Sequence, residues 1–146
     1  MRMRTAVFVA LLLGMLIGAF AGGGLVLARE GDGAAKVEAQ DLFVKDFAGD
    51  PSKEVKAQLY TFPAGAILPW HIHPDADEIA YVVEGTFTFQ RAGEQPKVMK
   101  QGEADYVAPN VVHRRMNLSD APVKLFVVRI KPKDKPLAEE VPPPPQ

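Results

Sequence analysis

The stretch GAILPWHIHPDADEIAYVVEG (residues 65–85) contains two of the three histidines in the chain, and an acidic residue follows them closely. Side chains on a β-strand alternate between its two faces, so His71 and His73 point to the same side, about 6.5–7 Å apart along the strand. Two imidazoles at that spacing can bind one cation at about 2.0–2.2 Å. The turn-forming residues 74–77 would bring Glu78 to the head of the next strand, where its carboxylate can reach the same ion.

Short segments rich in β-branched and aromatic residues surround this stretch, and turn residues separate them. They are KAQLYTF (56–62), ILPWHIH (67–73), EIAYVVE (78–84), TFTFQ (86–90), KVMK (97–100), DYVA (105–108), HRRMN (113–117) and VKLFVVRI (123–130). YVVEGTFTF (81–89) predicts a hairpin that turns at Glu84 and Gly85, and RAGEQPK (91–97) predicts a second turn. About eight short strands in about 80 residues predict a small all-β sandwich or barrel, with the jelly roll as leading candidate.

Composition excludes several classes of function. The chain of 146 residues predicts one domain. It carries 17 basic and 18 acidic residues without a basic run, so we expect no nucleic-acid partner. The absence of cysteine excludes disulfides, thiolate ligands and a cysteine nucleophile. There is also no glycine-rich phosphate loop and no serine in a nucleophile elbow.

The first 28 residues predict an N-terminal hydrophobic helix. Arg2 and Arg4 precede an uncharged stretch, residues 5–28, which as a helix would be about 36 Å long and could span a membrane. Two interpretations stay open: a signal peptide cut after Ala19-Phe20-Ala21, or an uncleaved membrane anchor. Both predict a location in the cell envelope, periplasmic or otherwise extracytoplasmic, because the arginines stay in the cytoplasm.

The rest of the chain divides into three parts by composition. Residues 29–40 predict a polar, glycine-containing linker, and residues 41–131 predict the folded domain. Residues 132–146 combine charge with a run of prolines, which predicts a disordered tail.

Two motifs in the folded part resemble those of the cupin superfamily. The first spans residues 65–85: a glycine, five residues, His71, one residue, His73, four residues, Glu78, six residues and a second glycine. The second is GEADYVAPNVVHRRMN (residues 102–117), which contains His113. Ala108 stands where a second proline is common, and Asn110 stands where a glycine often sits. Asparagine tolerates a left-handed backbone, so we expect the turn to be preserved.

The resemblance implies a double-stranded β-helix (jelly-roll) barrel in which His71, His73, Glu78 and His113 are metal ligands. Three imidazoles and one carboxylate suit a divalent ion of Fe, Mn, Ni, Cu or Zn, and the ligand set does not choose among them. Six-coordination around the ion would leave two positions open for other ligands.

Other side chains are expected to line the site. Arg115 follows His113 by two residues and should face the same way, although a position at the barrel mouth in water is the alternative. An inward arginine beside a cation would favour a ligand that carries a carboxylate. Ala80 and Val82 share a face with Glu78 and predict an apolar pocket wall.

The N-terminal segment implies export and the resemblance implies metal binding, and we expect a metal-dependent oxygenase that acts on a small organic molecule. Two alternatives stay open: a non-catalytic module that binds or senses a small molecule, and a metal-dependent isomerase or lyase. Exposed sheet edges also predict pairing of two subunits as a homodimer.

Overall fold

The computed structural model describes residues 36–145, which form ten β-strands and no helix. The predicted N-terminal helix (1–28) and residues 29–35 of the predicted linker lie outside this range. No helix within the described residues is long and apolar enough to span a membrane. The strands are β1 (Glu38–Phe47), β2 (Asp50–Phe62), β3 (Ile67–Ile72), β4 (Asp77–Glu84), β5 (Thr86–Arg91), β6 (Lys97–Lys100), β7 (Ala104–Val107), β8 (His113–Met116), β9 (Val123–Pro132) and β10 (Glu139–Glu140).

The ten strands form two antiparallel sheets of five strands each. The first sheet has the order β1-β2-β9-β4-β7, and the second has the order β10-β3-β8-β5-β6. Neighbours within a sheet are mostly distant in sequence, so the chain repeatedly crosses from one sheet to the other. The all-β prediction is confirmed, and this two-sheet arrangement is consistent with the predicted jelly roll.

Strict alternation along the strands builds the interior between the sheets. In β9 every second side chain, beginning with Val123, is buried, while the intervening ones are partly exposed. Ile79 and Tyr81 lie exposed on the outer face of β4, while Ala80 and Val82 are buried inside. Burial on one face of each sheet contributes most of the stabilisation, because apolar area leaves water there. The core is Tyr60, Phe62, Ala66, Leu68, Ala80, Val82, Phe87, Phe89, Met99, Val107, Val123, Leu125 and Val127.

The predicted hairpin at residues 81–89 is wrong. Its two arms, β4 and β5, belong to different sheets: β4 pairs with β7 and β9, whereas β5 pairs with β6 and β8. Gly85 connects them with a positive φ of 89°, and a β-carbon there would lie 2.9 Å from a methyl carbon of Val123. The local pattern could not distinguish a hairpin from a crossing, because alternation is the same in both. The second predicted turn does join a true hairpin, β5–β6.

The eight predicted strands match β2–β9, but two further strands were not predicted. β1 lies partly in the predicted linker and pairs with β2. β10 lies in residues 132–146, for which we expected disorder, and pairs with β3 through Glu139 and Glu140. The backbone amide of Val141 also donates to the carbonyl of Trp70, at 2.9 Å. The second sheet offers a free edge at β3, and backbone pairing there needs no apolar pattern in the tail.

The crossing at Gly85 gives a stability prediction. Gly85→Ala places a β-carbon in a left-handed conformation and against Val123, whereas Gly93→Ala meets only the conformational strain, since nothing lies within 4 Å. We expect Gly93→Ala to cost about 1–2 kcal/mol in the free energy of unfolding. Gly85→Ala should cost about 1–3 kcal/mol more than that. Urea denaturation of the two variants measures the difference, and equal losses would contradict the close packing at the crossing.

Candidate metal centre

Three histidines meet on the inner face of the second sheet. His71 on β3 and His113 on β8 are direct cross-strand partners, and His73 follows one residue after the end of β3. All three are buried, and one ring nitrogen from each lies within 4.8 Å of the others. As expected from strand alternation, His71 and His73 point to the same side. The pairing of β3 with β8 brings the ring of His113 next to them.

Backbone carbonyls hold each ring in one orientation. In every case the Nδ1 atom lies within hydrogen-bond distance of a carbonyl oxygen, which can only accept, so Nδ1 carries the proton. The acceptors are Pro69 for His71 (2.7 Å), Leu137 for His73 (2.6 Å) and Val111 for His113 (2.9 Å). In a neutral ring with this tautomer, Nε2 carries a free lone pair and can bind a metal.

Two imidazole lone pairs at the centre have no hydrogen-bond donor. They belong to Nε2 of His73 and Nε2 of His113, which are buried without a partner. Nε2 of His73 is only 2.9 Å from Oε2 of Glu78. When the ring carries its proton on Nδ1 both atoms are acceptors and repel each other, and a buried polar group without a partner is costly. A cation bound between them would remove both penalties, so the donor set fits a divalent metal.

Burial keeps two of the rings neutral. Burial lowers the pKa of His71 to about 4, and the neighbouring His73 contributes to the same shift. Burial also lowers the pKa of His113 to about 2, helped by His71 and by the charge of Arg115. Protons therefore compete weakly with a metal for these nitrogens at neutral pH.

Glu78 lies against the histidines from the opposite sheet. It is fully buried on β4, with Oε1 3.7 Å from Nε2 of His113. Its two oxygens are also held by arginines: Oε1 accepts from Arg115, and Oε2 lies 2.5 Å from a guanidinium nitrogen of Arg129. Although burial alone would raise its pKa, these two arginines hold the pKa of Glu78 well below its usual range. Glu78 thus stays ionised, and each oxygen keeps a further lone pair for a metal.

Arg129 is a site residue that the sequence analysis missed. It is the cross-strand neighbour of Glu78 between β9 and β4. Its Nη1 donates to Oε1 of Gln58, at 2.8 Å, and to the hydroxyl of Tyr60, at 3.1 Å. The alternation of β9 could have indicated that Arg129 points inward, because every second residue from Val123 onward is buried.

Arg115 points inward from β8 and does not lie at the barrel mouth in water. It is almost fully buried, and its guanidinium lies 5.0 Å from the ring centre of Phe89 and 5.8 Å from that of Phe87. Because it bonds to Glu78, it bridges the two sheets directly beside the histidines. The adjacent Arg114 instead faces outward and covers the ring of Trp70.

Four further residues near the site have structural roles. Ala80 and Val82 share the inner face with Glu78, where they belong to the apolar core next to the site. Asn117 donates to three backbone carbonyls, those of Phe62, Pro63 and Ala121. Asn110 adopts the expected left-handed backbone, with φ of 64°, so asparagine serves where a glycine often sits.

Comparison with known proteins identifies the same region. Residues 58–129 match the family model described as Cupin domain. The auxin-binding protein ABP19b of Prunus persica is 26% identical over 107 residues, which cover 70% of this chain and 51% of that protein. The chain therefore spans about half the length of this curated relative.

Solved structures share the fold. A DMSP lyase DddQ from Ruegeria pomeroyi DSS-3 has a TM-score of 0.58 and 21% identity, covering 75% of this chain and 54% of that one. An oxalate oxidase has a TM-score of 0.56 and 22% identity, covering 75% of this chain and 61% of that one. These structures show the shared fold, and the match of residues 58–129 to the Cupin domain model identifies the protein as a member of the cupin superfamily.

Proposed function

We propose that the protein binds a divalent metal through His71, His73, His113 and Glu78 and acts as a metal-dependent oxygenase on a small organic molecule. The observation that carries the proposal is the convergence of buried lone pairs without hydrogen-bond donors. Nitrogen and carboxylate oxygen donors of this kind suit Fe, Mn, Ni, Cu or Zn. Four protein ligands leave positions open to a substrate when the metal is six-coordinate.

Two alternatives each have an observation in their favour. The similarity to a DMSP lyase favours a metal-dependent lyase or isomerase, and the similarity to an auxin-binding protein favours a binding or sensing module. The similarity to an oxalate oxidase favours oxidative chemistry. Because one fold hosts all three, the reaction must be tested at the site itself.

The protein residues would prepare the site for chemistry. A bound metal would supply a Lewis acid and, if it is redox-active, an electron donor or acceptor. The carbonyls of Pro69, Val111 and Leu137 hold the imidazoles in the ligating tautomer, so no proton has to leave them. Glu78 is held ionised by two arginines and is therefore unsuited to act as a general acid near neutral pH.

The function is tested by oxygen consumption. The full-length protein is purified in detergent, loaded with Fe(II) or Mn(II), and mixed with a panel of enolic and phenolic compounds. Oxygen uptake with product formation supports the oxygenase. Product without oxygen uptake indicates the lyase or isomerase, and ligand binding without any product indicates the binding module.

Metal content is expected to depend on the histidines. His71→Ala and His113→Ala should each lose most of the bound metal, because three donors remain where four converge, and elemental analysis measures it. Arg114→Ala is the matched control, since its side chain adjoins His113 in sequence but faces outward. Metal that stays bound in both histidine variants would contradict the assignment.

The metal-free protein should lose stability as the solution is acidified. The pKa of His71 is 6.5 in the unfolded chain and about 4 in the folded one, so between these values only the unfolded state takes up the proton. Stability therefore falls as pH falls through this window, and the lowered pKa of Glu78 adds a loss in the same direction below 4.5.

Urea midpoints measured in a chelator at about pH 7.5 and about pH 5 test this linkage. We expect a lower midpoint at the acidic pH, and a smaller difference in His71→Gln, which has no titrating ring. A wild-type midpoint that does not change would show that the rings are not buried in neutral form.

The C-terminal segment should contribute to metal affinity. Leu137 supplies the carbonyl that orients His73, and loss of such a support typically costs about 10–100-fold in affinity. A chain that ends at Lys133 is therefore expected to bind Zn(II) about 10–100-fold more weakly in competition with a chelator. A chain that ends at Val141 keeps Leu137 and β10 and is the control; equal affinities of the two would refute the role of the carbonyl.

A further inference from the structure

The interior beside the histidines holds more positive than negative charge. Arg115 is 3% exposed and Arg129 is 4% exposed, and both guanidinium groups are directed at the single carboxylate of Glu78. Two guanidinium groups against one carboxylate leave one positive charge in excess, and a bound divalent cation would add two more. A buried charge without a counter-charge is costly, so the site favours the arrival of an anion.

Other buried charges nearby do not cancel this excess. Lys131 is buried, but its amine lies 3.3 Å from Oε1 of Glu54. Asp105 accepts a hydrogen bond from Arg91 at 3.0 Å. Each of these pairs is balanced within itself, and the excess stays with the two arginines around Glu78.

The two arginines differ in what they have left to donate. Arg129 is committed on both terminal nitrogens, to Gln58, Tyr60 and Glu78. Within residues 36–145 the one acceptor of the Arg115 side chain is Glu78, which is bound through Nη2, so Nη1 of Arg115 has no acceptor there. The buried Nε of Arg115 also lacks a partner, as does the Nε of Arg129. Arg115 therefore keeps donors in the fork geometry that matches a carboxylate.

Arg115 also lies within reach of a molecule bound at the metal. Its guanidinium bonds to Oε1 of Glu78, and the same oxygen is 3.7 Å from Nε2 of His113. Contact with the rings of Phe87 and Phe89 restricts the movement of the side chain. A small ligand beside the histidines would thus meet a fixed, buried cation.

We infer that the ligand of this site is a small carboxylate anion and that Arg115 is the residue that recognises its carboxylate. The inference rests on the proposed function for the place of the ligand at the metal. The charge excess that selects an anion exists with or without the metal. The inference gives the same ligand class, a small carboxylate, for the oxygenase and for both alternative functions.

Glycolate and glycolamide are the probes, because they have nearly the same shape and differ in charge. Each is titrated into the full-length protein, metal-free and loaded with Zn(II), and binding is followed by isothermal titration calorimetry. We expect glycolate to bind at least about tenfold more tightly than glycolamide, the preference expected for one charge-assisted hydrogen bond in a buried site.

The variant Arg115→Gln should lose most of this preference and keep its Zn(II), since the histidines are unchanged. Arg114→Gln carries the same substitution one position away, on the outer face, and should behave as the wild type. Equal preference for glycolate in Arg115→Gln and in wild type would overturn the inference, as would no preference in either form of the wild-type protein.

The outcomes separate this inference from the metal proposal. A preference that depends on Arg115 in a protein that takes up no metal would refute the metal centre and support the anion site. Should Arg115→Gln fail to fold, a crystal structure of wild type with glycolate decides. A carboxylate hydrogen-bonded to Arg115 supports the inference, and one bound elsewhere overturns it.

Discussion

The carboxylate of Glu78, fully buried between two guanidinium groups, is the interaction on which the site depends. Arg129 reaches it from the neighbouring strand of the same sheet, and Arg115 reaches it from the opposite sheet. An ion buried alone would be prohibitively costly, and the arrangement offsets that cost with charge-assisted hydrogen bonds. The same contacts join the two sheets at the place where the histidines converge. The ion pairs that balance the charge of Glu78 are therefore also contacts that hold the two sheets together.

The three histidines complete this arrangement from the second sheet. Each has its Nδ1 satisfied by a backbone carbonyl, so the orientation of the rings is built into loops and strand ends, independently of any bound ion. One of these carbonyls belongs to Leu137, in a segment whose composition indicates disorder. The segment is held because β10 extends the second sheet at β3. In this way the C-terminal residues become part of the surroundings of the three histidines.

The interior has two chemical regions. One is the apolar core, to which Phe87 and Phe89 belong, and the guanidinium of Arg115 lies against both of these rings. The other is the polar cluster of histidines, Glu78 and the two arginines. The polar cluster combines free lone pairs, which attract a cation, with an excess of guanidinium charge, which attracts an anion. A metal and a carboxylate bound together would satisfy both. This complementarity gives the oxygenase, lyase and binding hypotheses the same class of ligand, whatever the reaction.

The residues themselves determined the class of fold and most of the candidate ligands. Segments rich in β-branched and aromatic residues, separated by turn residues, located β2–β9, and the spacing of His71 and His73 indicated which side chains share a face. These are local properties, decided within a few residues of backbone. The alternation of β9 also predicts that Arg129 points inward. Its contact with Glu78 becomes evident only from the pairing of β9 with β4.

The tertiary structure decided which strands are neighbours. Local alternation is identical for a hairpin and for a crossing between sheets, so residues 81–89 were misread. The pairing of β4 with β9 sets Arg129 beside Glu78, and the packing of one sheet on the other brings Arg115 to the same carboxylate. Backbone pairing at an open sheet edge, which requires no side-chain pattern, recruited β1 and β10. Contacts between residues far apart in sequence leave no periodic trace, and for that physical reason the charge balance of the site became visible only in the folded protein.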